Sequence, residues 1–104
     1  ANIVAKLPGW LTYLQMLNSQ GSIECGLTVG RFAENEFYLV TGTGFRTHDS
    51  AWIRSRFRPD EQVELQDITE DGAVLSVMGP ASREVLSQLA DTPLDNASFP
   101  FGTC

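Results

Sequence analysis

Residues 12–29, TYLQMLNSQGSIECGLTV, decide the fold. The run from Thr12 to Asn18 is rich in aliphatic and aromatic residues and reads as a strand, Ser19, Gln20 and Gly21 read as a turn, and the chain then returns as a second strand. In that second strand Ile23, Cys25, Leu27 and Val29 fall on one face, while Ser22, Glu24, Gly26 and Thr28 fall on the other. The hairpin therefore needs a cover over its apolar side and leaves a polar side open.

Outward from the hairpin, the polar break Ala33–Glu36 precedes FYLV (37–40), a third strand rich in aromatic and branched residues. TGTGF (41–45) offers flexible backbone. From Thr47 to about Phe57 the apolar residues Ala51, Trp52, Ile53 and Phe57 recur at helical spacing until Pro59 stops the pattern. VELQDI (63–68) and GAVLSVM (72–78) flank the turn residues Asp71 and Gly72, which predicts a second hairpin and two further strands. Gly79 and Pro80 suit a helix entry, and Val85, Leu86 and Leu89 give a stripe for a second helix to about Ala90. The remainder is turn-rich and ends in FPFGTC. The pattern predicts an α+β fold: a two-layer ferredoxin-like sandwich with a mainly antiparallel sheet and helices on one face.

A chain of 104 residues with 42% apolar content fills one core, so residues 1–104 are expected to be a single domain. The net charge of −6, from 13 acids against 7 bases, opposes contact with phosphate backbones or anionic lipid, so neither nucleic acid nor membrane is an expected partner. No run approaches the roughly 18 apolar residues of a membrane-spanning helix, and ANIVAKLPGW lacks the charge pattern of a leader. Cys25 and Cys104 have only His48 as a companion, which is too few ligands at the wrong spacing for a zinc site. Free thiols in a reducing compartment are expected, with no metal.

Few residues suggest chemistry by themselves. TGTG lacks the lysine of a P-loop and the full spacing of a dinucleotide fingerprint. His48, Asp49 and Ser50 stand side by side at the start of the first helix, where neighbours point in different directions, which favours surface or capping roles over a catalytic triad. Cys25 between Ile23 and Leu27 reads as a buried small hydrophobe rather than a nucleophile. The acids between Asp60 and Asp71 lack the order of a calcium loop and read as a solvated edge. Tyr13 and Phe45 are the aromatics that stand apart from the expected core.

Two strings, YLQMLNSQGSIECGLTVGRFAENEFYLVTGTGFRTHDSAWI (13–53) and VMGPASREVLSQL (77–89), resemble the folate-binding region of the glycine-cleavage T-protein (aminomethyltransferase) family. IEC and TGTGF are more similar to the T-protein-like region of sarcosine and dimethylglycine dehydrogenases. The resemblance implies a piece of a larger folate-binding region that supports one-carbon transfer to tetrahydrofolate and is not active alone. Its partners would be the remaining domains of the parent chain and small-molecule folate, with FAD in a separate domain if the parent is a dehydrogenase. The setting implied is the mitochondrial matrix in a eukaryote or the cytoplasm in a bacterium. Tyr13 matches the family's pocket tyrosine, Gly42 falls where the transferase has a folate-contacting asparagine, and the family's acid position falls on Gly26. No catalytic residue is therefore assigned; Glu24, expected on the same polar face as Gly26 and Thr28, is the candidate to stand in for that acid. A non-catalytic ligand-binding or scaffold domain is the alternative.

Overall fold

The hairpin over residues 12–29 forms and extends beyond the expected limits. The computed structural model describes residues 2–104. Strand β1 runs Trp10–Leu17 and β2 runs Ile23–Arg31, antiparallel, with Trp10 opposite Arg31 and Tyr13 opposite Thr28. Asn18 builds the turn between them. Its side-chain oxygen accepts the backbone N–H groups of Gln20 and Ser22 at 2.9 and 3.0 Å, and Gly21 takes the positive φ of 82° that closes the loop. Strand β3, Phe37–Val40, pairs antiparallel with β2 from Thr28 opposite Val40 to Arg31 opposite Phe37, giving the order β1-β2-β3.

Alternation places Cys25, Leu27 and Val29 on the covered face, where they are 2, 2 and 5% exposed. Helix α1, Arg46–Arg54, covers them with Trp52 and Ile53, while Leu14, Met16 and Leu39 contribute from the flanking strands and Ile3 from a short 3-10 turn at Ile3–Ala5. One sheet with a helix on one face is the expected α+β architecture in its smallest form.

The alternation fails at one point. Met16 stands opposite Cys25 and Leu17 opposite Ile23, so Glu24 is the extra residue of a β-bulge. Ile23, expected on the buried face, lies beyond this bulge and is 58% exposed.

The second expected hairpin does not form: residues 63–68 and 72–78 belong to no strand. Alternating side chains make a strand only where an edge offers hydrogen-bond partners, and here a wide groove walled by Tyr38 and Val40 on one side and Val63, Leu65 and Val74 on the other separates the segment from β3. Polar contacts hold the segment to α1 instead. Arg46 pairs with Asp67 and Glu70, both at 2.7 Å, and Arg54 donates to the Leu65 carbonyl at 2.6 Å. The Thr69 hydroxyl and the Arg46 guanidinium hold the Asp67 carboxyl well below the usual carboxylate range. These groups are solvent-exposed, so the strap is screened by salt.

The second helix, α2, is shorter than expected, Ser82–Ser87, and its stripe is not buried, with Val85 and Leu89 both exposed. Arg83 ties it to the carbonyls of Leu94 and Phe99. The C-terminal residues return to the start of β1, where Leu11 donates to the Gly102 carbonyl at 2.8 Å and Trp10 bridges to Thr103.

The core is thus concentrated on β2. Leu27→Ala is expected to cost about 2–5 kcal/mol in urea unfolding. Leu75→Ala, at a side chain of a residue 84% exposed, should change stability by no more than about 0.5 kcal/mol. Equal costs at the two sites would contradict this placement of the core.

Candidate functional site

Among the described residues Asp49 is the one charged residue that is buried, at 3% exposure. It sits in the first turn of α1, three and four positions before Trp52 and Ile53, so it shares the face that packs on β2. An aspartate under a sheet persists only if its oxygens are satisfied. His48 donates from Nδ1 at 2.9 Å, the Thr41 hydroxyl donates to the other oxygen, and the Cys25 thiol supplies a further hydrogen bond. Burial opposes ionisation, but these bonds outweigh it and hold the Asp49 carboxyl below its usual range.

The thiol responds in the opposite direction. Burial, the hydrogen bond to Asp49 and the negative charges of Asp49 and Glu24 push Cys25 up to about 11. It is therefore a neutral thiol at physiological pH and a poor nucleophile.

The bulge brings Glu24 into the same group. Its Oε1 accepts from Asn18 Nδ2 at 2.8 Å, and its Oε2 lies 3.7 Å from His48 Nε2. This corrects the expectation that Glu24 shares the open polar face with Gly26 and Thr28. The extra residue breaks the two-residue alternation and turns the carboxylate toward α1. A hollow of about 300 Å³ opens beside this cluster, lined by Ile23, Glu24, Cys25, Gly26, Phe45 and Asp49.

The other sequence-derived positions divide between two places. Tyr13 and Thr28 face each other on the open side of the sheet, with Tyr13 65% exposed. The Tyr13 hydroxyl lies over Gly26, where a Cβ would meet it at 2.8 Å. Gly42 precedes the 3-10 turn Thr43–Phe45 that leads into α1, and a Cβ there would stand 3.2 Å from the Phe45 ring. Gly42 thus backs the aromatic wall of the hollow, and Gly26 connects the hollow to Tyr13.

Asn18, Thr41 and Asp49 were not singled out by the sequence as site residues. Asp49 had a signal: a carboxylate at helical spacing from Trp52 and Ile53 must be either buried or out of register. Asn18 and Thr41 had none, because their roles depend on how the bulge and the loop after β3 bring distant segments together.

The family model of the GCVT N-terminal domain matches residues 1–104. The chain is 38% identical over 97% of its length to mouse (Mus musculus) mitochondrial dimethylglycine dehydrogenase and 34% identical over 96% of its length to mouse mitochondrial sarcosine dehydrogenase, and it spans 12% of each relative. It is 33% identical over 84% of its length to an aminomethyltransferase of Clostridium botulinum (strain Loch Maree / Type A3), of which it spans 23%. No solved structure matches the chain. The match over all 104 residues, together with these relatives, places the chain in the GCVT N-terminal domain family.

Proposed function

We propose that residues 1–104 act as one tetrahydrofolate-holding module of a longer T-protein-like protein. That protein would be a flavin-dependent sarcosine or dimethylglycine dehydrogenase or an aminomethyltransferase, with FAD, where present, in a separate domain. The small share of the dehydrogenase relatives that the chain spans supports a working unit that includes further domains as partners. The mitochondrial location of those dehydrogenase relatives supports a mitochondrial setting if the source is eukaryotic.

The observation that carries the reading is the hollow itself. A volume of about 300 Å³ with the Phe45 ring on one side and the carboxylates of Glu24 and Asp49 on the other suits a flat, amine-bearing ring such as the head of a folate. Bound tetrahydrofolate would supply the acceptor for a one-carbon unit. Phe45 would pack on the ring, the exposed Tyr13 phenol would extend that surface past Gly26, and Thr28 would offer a hydroxyl farther along the strand.

The two carboxylates are not equivalent. Both oxygens of Asp49 are already engaged, so its charge acts on the hollow at a distance. Glu24 is held through Asn18, and its second oxygen stands 3.7 Å from His48, which leaves it able to accept an N–H from a ligand. Negative charge at this end of the sheet also favours a positive charge developing beside it. Glu24 is therefore the residue proposed to take over from the acid whose position falls on Gly26.

A second reading, a ligand-binding or scaffold module without catalysis, draws support from Gly26. The Tyr13 hydroxyl occupies the space in which a side chain at that position would begin.

Calorimetric titration of tetrahydrofolate into the full-length protein separates folate holding from a scaffold role. Binding is expected, with Tyr13→Ala and Glu24→Gln each weakening it by about tenfold, the equivalent of about 1.4 kcal/mol. Absence of binding by the native protein favours the scaffold reading. Binding that neither substitution weakens moves the folate site elsewhere.

A further inference from the structure

We propose that Cys25, His48 and Asp49 form a binding site for one divalent transition-metal ion of the zinc class, with Glu24 as the outer partner of the histidine. The sulfur of Cys25, a ring nitrogen of His48 and a carboxylate oxygen of Asp49 all lie within 4.8 Å of one another. Metal–ligand bonds of roughly 2.0–2.3 Å in a tetrahedral site put neighbouring donor atoms about 3.3–3.8 Å apart. His48 Nδ1 and Asp49 Oδ1 already stand at 2.9 Å. Closing the set around an ion therefore asks for side-chain shifts of about an ångström.

The donor set selects the class of ion. One sulfur, one imidazole nitrogen and one carboxylate suit zinc and cobalt, whereas magnesium and calcium prefer oxygen throughout. The charge of the site agrees with this choice. Glu24 and Asp49 both border the hollow, and neither lysine nor arginine lines it. On binding, the Cys25 thiol releases its proton to solvent and ligates as the thiolate. His48 ligates through Nδ1 as the neutral imidazole, its single ring proton then carried on Nε2, and no electrons are exchanged.

The surroundings hold the donors in place. Ligation through Nδ1 leaves the Nε2–H of His48 facing the Glu24 carboxylate, 3.7 Å away, and Asn18 fixes that carboxylate from behind at 2.8 Å. Thr41 holds the second oxygen of Asp49. Three protein ligands leave a fourth position, which opens into the hollow, and the His48 side chain, 51% exposed, leaves the site accessible from solvent. Cys25 and His48 are 23 positions apart and come from different elements, so no local motif announces the site.

The proposal does not depend on folate binding, and its test uses the metal alone. The full-length protein, freed of metal by a chelator that is then removed, is titrated with cobalt(II) chloride while the thiolate-to-cobalt charge-transfer band is followed. One saturable band is expected, displaced by zinc and retained in Cys104→Ser. Cys25→Ser should abolish it. His48→Gln and Glu24→Gln, at more accessible side chains, should each weaken cobalt binding by at least about tenfold. No band in the native protein, a band that survives Cys25→Ser, or an affinity unchanged in His48→Gln would each overturn the assignment.

Discussion

The buried carboxylate of Asp49 is the contact on which the rest of the arrangement depends. It meets Cys25 from the middle strand, Thr41 from the loop after β3 and His48 from its own helix. Three segments separated in sequence thereby share one acceptor, and removing it would leave the buried Cys25 thiol without that partner. The apolar packing of Trp52 and Ile53 on Leu27 and Val29 holds α1 to the sheet, but it does not specify where along the sheet the helix begins. The Asp49 bonds do, because a shift of one helical turn would carry the carboxylate away from both Cys25 and Thr41.

The bulge at Glu24 completes the arrangement. A regular strand would send Glu24 and Cys25 to opposite sides of the sheet. With one extra residue between Ile23 and Cys25, both side chains reach the same end of the helix, and the hollow between them collects negative charge. That charge has two consequences: it adds to burial, the larger cause, in keeping the Cys25 thiol protonated, and it makes the hollow a place where a ligand amine or a metal cation is favoured. The folate reading uses Glu24 and the aromatic walls of the hollow. The metal reading uses the donors beneath them.

Much of the fold was legible in the sequence because it rests on local rules. Period-two alternation located β1 and β2 and identified Cys25, Leu27 and Val29 as the covered face, though it wrongly added the exposed Ile23, and the turn at Ser19–Gly21 followed from residue type. The strings shared with the T-protein family identified the family that the comparison confirms. What stayed hidden depends on tertiary context. VELQDI and GAVLSVM alternate as strands do, yet no sheet edge reaches them. Glu24 follows the alternation on paper and departs from it through a bulge that the residue types at 22–26 do not mark. His48 and Asp49 look like adjacent surface groups until the helix start is seen under the sheet. Of the candidate site residues, Tyr13, Gly26 and Gly42 came from motif position and Glu24 from its nearness to Gly26, Asp49 had only its spacing from Trp52 and Ile53 as a signal, and Thr41 and Asn18 required the fold.

The most direct test of Asp49 as organiser is the reactivity of Cys25, followed by alkylation and peptide mapping of the full-length protein with a chelator present. Native Cys25 should react slowly at pH 8, as a thiol pushed up to about 11 must. Asp49→Asn should raise that rate by about tenfold or more, one pKa unit being tenfold in thiolate, while Thr41→Val, which keeps the charge, should leave it low. A rate in the native protein equal to that of an exposed thiol, or one that Asp49→Asn leaves unchanged, would contradict the account.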